Sequence, residues 1–454
     1  MLDIKLLRDD PSAIVKNLYD RNARPFADLI EGSGWAEQAI ERLTALDQHY
    51  LELLRKTEGC HRAQHENSRA MKAVGKLPKE QQGEARQKLI DEGRELRART
   101  RDLEQETEKA LSERDEAWLR VPNLTHPEAP RGTTDDDHRQ LRTWGQVRDF
   151  EKEGFVPLDH VQLAESLQWV DFAAGAKVAG QKFYFLKNEA VFLDLALQQF
   201  ALQVALRHGF ALHITPDLAR SDILLGLGFN PRGDSTQIYS IENSNLCLVG
   251  TAEITLGGML SDEILLDSQL PLLIAGLSHC FRTEAGSHGQ ESRGLYRVHQ
   301  FTKVELFAVT EARLEASEAM HAKLLEIEEE IFQALELPYR VLDMASSDLA
   351  GQAYRKFDIE AWMPGRCGWG EVTSTSNCTD YQARRLKVRY KTEAVEGGTA
   401  SSRPKPVHML NGTAVATSRA LVAIMENHQQ ADGSIRIPRV LQPWVGHASV
   451  APRS

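Results

Sequence analysis

Apolar side chains recur at helical spacing between about residues 40 and 120. One series advances in steps of three and four residues, through Leu43, Leu46, Tyr50 and Leu53. A second series advances in steps of seven, through Leu89, Leu96, Leu103, Ala110 and Ala117. This spacing is typical of the seam of a coiled coil. It predicts two long helices over about residues 35 to 118.

The segment between the two series favours a reversal of the chain. It reads Gly75-Lys76-Leu77-Pro78, and glycine and proline end one helix and allow another to start. No aromatic residue occurs between Tyr50 and Trp118, although a compact domain of this length would use aromatic side chains in its core. We therefore expect a thin antiparallel two-helix arm. A dimerisation rod is the alternative.

The pattern changes after residue 120. Residues 121–137 are rich in Pro, Thr and Asp and are predicted to be a linker. This division gives an N-terminal domain at 1–120 and a larger domain at 138–454. In the larger domain, short apolar runs predict strands at 183–186, 246–249 and 302–307, and amphipathic patterns predict helices at 189–208 and 315–335.

The strands do not alternate regularly with helices, so the larger domain is expected to be α+β, with an antiparallel sheet flanked by helices. The stretch 393–404 is expected to be a loop of low order. Ordinary apolar content, 42% of 454 residues, agrees with a globular core, and no run long enough to span a membrane is present.

Composition also bears on location and cofactors. The N-terminal segment lacks the features of a secretory signal or a transit peptide. The five cysteines do not form a CxxC pair, so neither a disulfide framework nor a zinc site is expected. A cytoplasmic protein without a membrane partner is the simplest interpretation.

The charge of the chain is unevenly distributed. The net charge is −11, but residues 55–101 contain 13 Lys and Arg against 7 Asp and Glu. A local basic excess near the predicted turn favours a polyanionic partner such as RNA. A solvated helix face is the alternative.

Candidate chemistry is concentrated in residues 280–307, CFRTEAGSHGQESRGLYRVHQFTKVELF. The pattern predicts a strand, a polar loop and a second strand. Arg282 and Glu284 alternate on the first strand, and Phe301, Lys303 and Glu305 alternate on the second, so a hairpin would bring them together. Arginine suits phosphate or carboxylate, and an aromatic ring can stack on a base. A surface ladder of salt bridges is the alternative.

This segment resembles motif 2 of the class II aminoacyl-tRNA synthetases, and its GLYRVHQFTKVE string resembles the seryl branch. Three further segments resemble blocks of the same family: a TAE loop at 251–253, an EVTSTSNCTD block at 371–380, and a motif 3 at 408–419. A helix ending near Pro216 resembles motif 1, the dimer element of the family. The resemblance covers nearly the whole chain, including the arm.

The resemblance implies a serine ligase reaction and its site residues. Serine would be held by Thr251, Ala252, Glu253, Arg282, Glu305 and Thr413. ATP would be held by Arg282, Thr283, Glu284, Val298, Phe301, Glu371, Val372, Thr373, Ser374 and Arg419. Arg282, Arg419 and Glu371 would be catalytic, and Glu371 with Ser374 would bind Mg²⁺.

In the implied reaction, the serine carboxylate attacks the α-phosphorus of ATP and pyrophosphate leaves. Arginines and Mg²⁺ would offset the repulsion between two anions. A ribose hydroxyl at the 3′ end of tRNA then attacks the adenylate. The resemblance further implies a homodimer, and an arm that binds tRNA(Ser) and also tRNA(Sec).

The chain departs from the family pattern in two places. Motif 3 reads NGTAVATSR, where the family commonly has NGSGLAVGR, so Thr413, Ala414 and Ser418 replace Ser, Gly and Gly. The motif 2 loop reads SHGQES instead of the commoner SAGRDT.

Three other functions remain as alternatives. A catalytically inactive homologue would be expected to lack Arg282, Glu305 or Arg419, and all three are present. A ligase that charges a carrier protein would lack the long arm. A coiled-coil scaffold would not need the catalytic motifs.

Overall fold

The structure is a computed structural model, and it describes residues 1–29, 32, 34–231, 236–285, 294–392 and 403–453. The chain forms two compact units. The smaller unit comprises residues 2–122, and the larger comprises residue 1 and residues 123–454.

The smaller unit is helical. Its elements are α1 (Lys5–Asp9), α2 (Pro11–Asp20), α3 (Trp35–Val74) and α4 (Lys79–Trp118). The two 40-residue helices α3 and α4 pack side by side as an antiparallel pair, as the heptad spacing indicated. Leu43, Leu53, Ala110 and Ala117 are buried along their seam.

The seam also contains polar layers that the apolar pattern did not indicate. The Thr57 and Thr107 hydroxyls lie 2.9 Å apart, and Gln64 Nε2 donates to Thr100 Oγ1 at 2.7 Å. At the base of the arm, Asp47 accepts hydrogen bonds from Arg8 and Arg114. The Thr57–Thr107 and Gln64–Thr100 pairs join the two helices directly, so these layers favour one register of the helix pair.

The larger unit combines nine helices with seventeen strands in its described residues. The helices are α5 (His160–Leu167), α6 (Phe172–Ala179), α7 (Glu189–Arg207), α8 (Ser221–Leu227), α9 (Ala252–Gly258), α10 (Leu314–Ala334), α11 (Tyr381–Leu386), α12 (Thr417–His428) and α13 (Gln442–Val445). The first nine strands are β1 (Arg139–Trp144), β2 (Val170–Asp171), β3 (Phe185–Leu186), β4 (Ala211–Ile214), β5 (Leu218–Arg220), β6 (Leu246–Leu248), β7 (Ile264–Leu266), β8 (Leu272–Phe281) and β9 (Gln300–Thr310). The others are β10 (Tyr339–Asp343), β11 (Arg355–Met363), β12 (Gly368–Asn377), β13 (Arg389–Lys391), β14 (Lys405–Pro406), β15 (His408–Ala416), β16 (Ile435–Arg436) and β17 (Ser449–Val450).

An eight-stranded sheet organises this unit, in the order β1-β10-β11-β12-β15-β9-β8-β4. Every neighbouring pair is antiparallel except β4 and β8. Helices α7, α10 and α12 pack against its strands and share one apolar core with them. The expected α+β fold is therefore confirmed, with a largely antiparallel sheet.

Three expectations need correction. The segment predicted to be a linker is packed onto the larger unit from Asn123 onward, because Asn123 Nδ2 donates to the Gln352 and Cys378 carbonyls and the His126 amide donates to Tyr354 O. The helix of motif 1 ends at Arg207, and the residues before Pro216 form strand β4. Strand β8 ends at Phe281, so Arg282 and Glu284 follow it.

Two segments discussed above lie largely or wholly outside the described residues. The motif 2 loop SHGQES falls within 286–293, and most of the predicted loop at 393–404 falls within 393–402. Among the described helices, α7 alone is long and apolar enough to span a membrane, and half of the relevant stretch is buried inside the fold. The buried half packs in the core of the larger unit.

Candidate active site

Strands β9, β11, β12 and β15, with the residues after β8 and the starts of α9 and α12, form one cavity of about 290 Å³. Most of the predicted site residues line this cavity. They are Thr251, Glu253, Arg282, Phe301, Glu305, Glu371, Val372, Thr373, Ser374, Thr413 and Arg419. Residues from five distant parts of the sequence therefore meet at one face of the sheet.

One end of the cavity is a cluster of buried charges. Lys303 Nζ donates to Thr251 Oγ1 at 2.8 Å and forms an ion pair with Glu305. Thr413 Oγ1 donates to Glu305 Oε2 at 3.4 Å. Alternation along β9 places Lys303 and Glu305 on the same face, and β15 brings Thr413 directly opposite Glu305.

Glu253 completes this cluster at the start of α9. Its Oε1 accepts hydrogen bonds from Gln382 Nε2 at 2.6 Å and from Asn411 Nδ2 at 2.9 Å. Burial raises the pKa of Glu253 to about 7, and the nearby Glu305 carboxylate adds to the shift. When both carboxylates are ionised they outnumber the Lys303 ammonium, so the pocket has a negative charge available for a cationic ligand.

The other end of the cavity is built around Glu371 on β12. Arg419 Nη1 lies 3.0 Å from Glu371 Oε1, and the Tyr296 hydroxyl donates to the Glu371 carbonyl at 3.0 Å. Burial opposes ionisation of Glu371, but the charges of Arg419, Lys356 and Arg282 outweigh it and lower its pKa to about 2. The Glu371 carboxylate is thus ionised and surrounded by cations.

Arg282 lies between these two ends. Its Nε donates to the Gly250 carbonyl at 3.3 Å, and its guanidinium carbon lies 5.3 Å from the centre of the Phe301 ring. These contacts hold the arginine, which also lines the cavity. A guanidinium has further N–H donors that suit anionic ligands. The Phe301 ring also lines the cavity and offers a surface on which a base can stack.

Four predicted residues do not line the cavity. Ala252 and Val298 are buried. The Thr283 hydroxyl donates to the Thr236 carbonyl at 2.5 Å, and Glu284 Oε2 lies 3.5 Å from Arg297 Nε. These four residues are therefore not part of the cavity lining.

The departures in motif 3 are accommodated by the fold. Thr413 keeps a hydroxyl in the cavity, while Ala414 and Ser418 are buried. The register of β15 shifts between Thr413 and Val415, so Ala414 occupies a bulge. An added methyl at position 414 is thus absorbed by the core.

Sequence reasoning assigned no role to several residues that shape the site. In the sequence, Lys303 belongs to the residues that alternate on the second strand, but the resemblance gives it no function. The sequence gives no role to Gln382, Asn411 or Lys356, although Asn411 lies within motif 3 and Gln382 comes two residues after the 371–380 block. No local pattern shows which side chains these three residues meet. Their positions depend on α11, β15 and β11 meeting at the cavity.

Family models match both parts of the chain. Residues 238–428 match the tRNA synthetase class II core domain (G, H, P, S and T), and residues 1–125 match the seryl-tRNA synthetase N-terminal domain. The chain is 49% identical over 452 residues to a serine–tRNA ligase of Rubrobacter xylanophilus, covering 100% of this chain and 99% of that one. It is 51% identical over 449 residues to one of Rhodopirellula baltica, covering 98% of each.

Solved structures agree with this assignment. Seryl-tRNA synthetase from Pyrococcus horikoshii, complexed with ATP, matches with a TM-score of 0.87 and 38% identity, covering 100% of both chains. The cytoplasmic serine–tRNA ligase of Naegleria fowleri, in complex with AMP, matches with a TM-score of 0.82 and 29% identity, covering 100% of this chain and 99% of that one. The chain belongs to the seryl-tRNA synthetase family, in class II of the aminoacyl-tRNA synthetases.

Proposed function

We propose that this protein is a serine–tRNA ligase, which forms seryl-adenylate from serine and ATP and transfers the seryl group to the 3′ end of tRNA(Ser). The observation that carries the proposal is the single cavity with an acidic end at Glu253 and Glu305 and a cationic end at Arg282 and Arg419. An amino acid has an ammonium for the first end and a carboxylate for the second. ATP adds a triphosphate that requires the cationic end.

The acidic end accounts for recognition of serine. Glu253 and Glu305 would bind the ammonium, and the hydroxyls of Thr251 and Thr413 are available for the serine hydroxyl. A site built to hydrogen-bond a hydroxyl strongly rejects an analogue that lacks it, because its own polar groups are then left unpaired. Alanine should therefore be rejected, and threonine should be excluded by its extra methyl group. No zinc is invoked in this selection.

The cationic end accounts for activation. Arg282 would contact the serine carboxylate and the α-phosphate, and Arg419 would contact the γ-phosphate. The adenine would stack on Phe301, beside Thr283, Glu284 and Val298. Charged donors fixed in place before the reaction stabilise the charge that develops as the carboxylate attacks the α-phosphorus. Holding the two reactants in line lowers the barrier further.

The residues around Glu371 fit a bound Mg²⁺. The ion prefers oxygen ligands and usually combines one or two carboxylates with substrate phosphates and water. Glu371 is ionised, and Glu371 and Ser374 line the same cavity, so their side-chain oxygens would hold the ion. The described residues contain no group of three or more metal-ligating side chains, so phosphate oxygens would have to complete the coordination. Bound Mg²⁺ would neutralise phosphate charge.

Serine-dependent exchange of pyrophosphate into ATP is the direct test, followed by charging of tRNA. We expect exchange with serine, little with threonine and none with alanine. Exchange in the absence of any amino acid, equal activation of alanine, or stoichiometric zinc in the purified protein would contradict the assignment.

The arm is proposed to bind tRNA. Its exposed basic residues include Arg55, Arg62, Arg69, Lys72 and Lys76. Double-stranded RNA is recognised mainly by shape and backbone contacts, which suit a rigid rod with a basic flank. The long variable arm of tRNA(Ser) is the proposed target, and tRNA(Sec), where it exists, would share it. Affinity should fall steeply with salt, because phosphate contacts release counterions.

The larger unit is proposed to form a homodimer through α7 and β4. Apolar side chains stand exposed there, including Phe192, Leu195, Leu206 and Ile214, which is 85% exposed. Several exposed apolar side chains on one helix and the strand that follows it are typical of an interface. Light scattering should give twice the chain mass of 50.9 kDa. Ile214→Glu should shift the protein toward the monomer, and a wild-type monomer at micromolar concentration would contradict the proposal.

The cytoplasm is the proposed location. All five cysteines are free thiols, as is usual in a reducing compartment. Fractionation of the native cells should recover the protein with the soluble, reducing fraction.

A further inference from the structure

Lys356 is a half-buried cation in the wall of the proposed active site, and it is not among the residues proposed to contact serine or ATP. It lies on β11, and its side chain is 17% exposed. The same cavity is lined by Arg282, Glu371 and Arg419. A cation in a substrate cavity must either neutralise a neighbouring acid or bind an anionic ligand.

The register of the sheet directs Lys356 toward the phosphate end. Lys356 pairs with Ser376 on β12, and Asp358 pairs with Ser374. Paired residues on neighbouring strands face the same side of a sheet. The Lys356 side chain therefore stands on the face that carries Ser374. In the strand order, β11 lies beyond β12 and β8 lies at the other side of the cavity, so Lys356 and Arg282 flank the site from opposite sides.

The pKa shifts of Lys356 and Glu371 also connect Lys356 with the phosphate end of the cavity. Burial lowers the pKa of Lys356, but the charges of Asp358, Glu371 and Asp348 outweigh burial and raise it overall. Lys356, in turn, is one of three cations that lower the pKa of Glu371, together with Arg419 and Arg282. Lys356 is thus charged, and its field acts on the centre of the phosphate end.

The Lys356 ammonium has donors to spare. Its Nζ donates to Asp358 Oδ2 at 2.9 Å, and Asp348 lies 3.9 Å away, beyond hydrogen-bond distance. An ammonium carries three N–H donors. Among the described residues no other acceptor is within reach, so two donors remain for a ligand in the cavity.

We propose that Lys356 is a further substrate-binding residue that contacts the β- and γ-phosphates of ATP and the leaving pyrophosphate. It forms a cationic triad with Arg282 and Arg419 around Glu371. The serine end already has its own lysine, Lys303, whose charge is taken up by Glu305. This inference rests on the proposed function, because it requires ATP to be the nucleotide that binds in the cavity.

The test compares ATP with AMP, which lacks the two outer phosphates. Lys356→Met should weaken ATP binding roughly ten- to a hundredfold, the usual effect of losing a charge-assisted contact, and should change AMP affinity by less than about twofold. Lys356→Arg should retain most of the ATP affinity. The KM for pyrophosphate in the exchange reaction should rise with the ATP dissociation constant, while the KM for serine stays near that of the wild type.

A double variant separates substrate binding from a purely structural role. Lys356→Met leaves the Asp358 carboxylate buried without its cation, which alone could distort the site. Lys356→Met with Asp358→Asn removes that charge and carries the test if the single variant is unstable. We expect the double variant to melt near the wild-type temperature and still to bind ATP weakly.

Three results would overturn the inference. ATP affinity restored to wild type in the double variant would make Lys356 a counter-ion of Asp358 only. Equal losses for ATP and AMP would mean a general disturbance of the site. A loss confined to serine affinity or to tRNA charging would place the contact elsewhere. A wild-type protein that binds ATP but lacks serine-dependent exchange would contradict the proposed function and leave the ATP-to-AMP comparison interpretable.

Discussion

The arm and the catalytic cavity both contain buried polar side chains, but the two regions differ in how those side chains are paired. In the arm, Thr57 meets Thr107 and Gln64 meets Thr100, so each polar group has its partner on the other helix. In the cavity, Glu253, Glu305, Arg282 and Arg419 have partners and also line open space that a ligand could fill.

This difference separates structural from functional polarity. A paired polar layer specifies how two helices register, and its removal mainly changes stability. Cations and anions arranged around a cavity are held there at a cost in stability, and a ligand is needed to complete their interactions. Substitutions in the two regions should therefore have different consequences.

Arg282→Ala is the change with the largest expected effect. It removes contacts to two anions, each worth about 1.5–3 kcal/mol, so we expect kcat/KM for pyrophosphate exchange to fall roughly a thousandfold or more. The melting temperature and tRNA affinity should stay near those of the wild type, because the arm is untouched. Near-normal exchange by the folded variant would defeat the assignment of Arg282.

Deletion of the arm should have the opposite profile. Removing residues 36–116 and rejoining the chain takes away the helix pair but none of the cavity residues. Pyrophosphate exchange should remain largely intact, while tRNA charging should fall at least a hundredfold. If the shortened protein charges tRNA as well as the full chain does, the arm is a structural rod.

Charge reversal on the arm gives a finer measurement. Arg69→Glu with Lys72→Glu changes two exposed residues near the turn and should weaken tRNA binding roughly tenfold or more at low salt, by losing phosphate contacts. Lys109→Glu changes an exposed lysine far from the turn and is the matched control for each single reversal, Arg69→Glu or Lys72→Glu. Equal effects from both sites would argue against a localised RNA surface.

The pKa of Glu253 predicts a pH dependence for serine binding. Burial raises this pKa to about 7, so the free site holds a proton that the serine ammonium must displace. Serine affinity should therefore increase as pH rises towards 7, by up to tenfold per pH unit, and level off above 7. Calorimetry in buffers of different ionisation enthalpy should show the proton release. Glu253→Gln should abolish the proton release.

The raised pKa of Glu253 also makes the stability of the folded protein depend on pH. The folded protein retains a proton on Glu253 that the unfolded chain has lost above its ordinary pKa of about 4.5, so this group's contribution to stability falls as pH rises from about 4.5 through 7. Glu253→Gln should flatten that part of the stability profile. An unchanged slope would mean that Glu253 titrates normally.

The smallest effects are expected in the seam of the arm. Thr57→Val leaves Thr107 without its cross-helix partner and should cost about 1 kcal/mol, whereas Thr57→Val with Thr107→Val should be nearly neutral. Hydrogen exchange of the arm amides would measure both. Serine activation should not change in either variant. A loss of pyrophosphate exchange would contradict the distinction between structural polar groups in the arm and functional ones in the cavity.

Much of this molecule could be predicted locally. The heptad spacing gave the arm, since α3 and α4 occupy 35–74 and 79–118, close to the expected 35 to 118. The alternation along residues 301–305 correctly placed Phe301, Lys303 and Glu305 on one face of β9. Alternation failed after Phe281, because the strand ends there and the backbone of Glu284 turns to a positive φ of 53°.

The amino-acid sequence by itself determined the arm, the α+β class and the chemical types available at the site, because heptads, strand alternation and family motifs are read within short stretches. Only the tertiary structure decided which polar groups meet. Gln382 reaches Glu253 across 129 positions of sequence, and Lys356 joins Arg282 and Arg419 around Glu371 through the order of strands in the sheet. Such contacts depend on long-range pairing, which no local periodicity encodes.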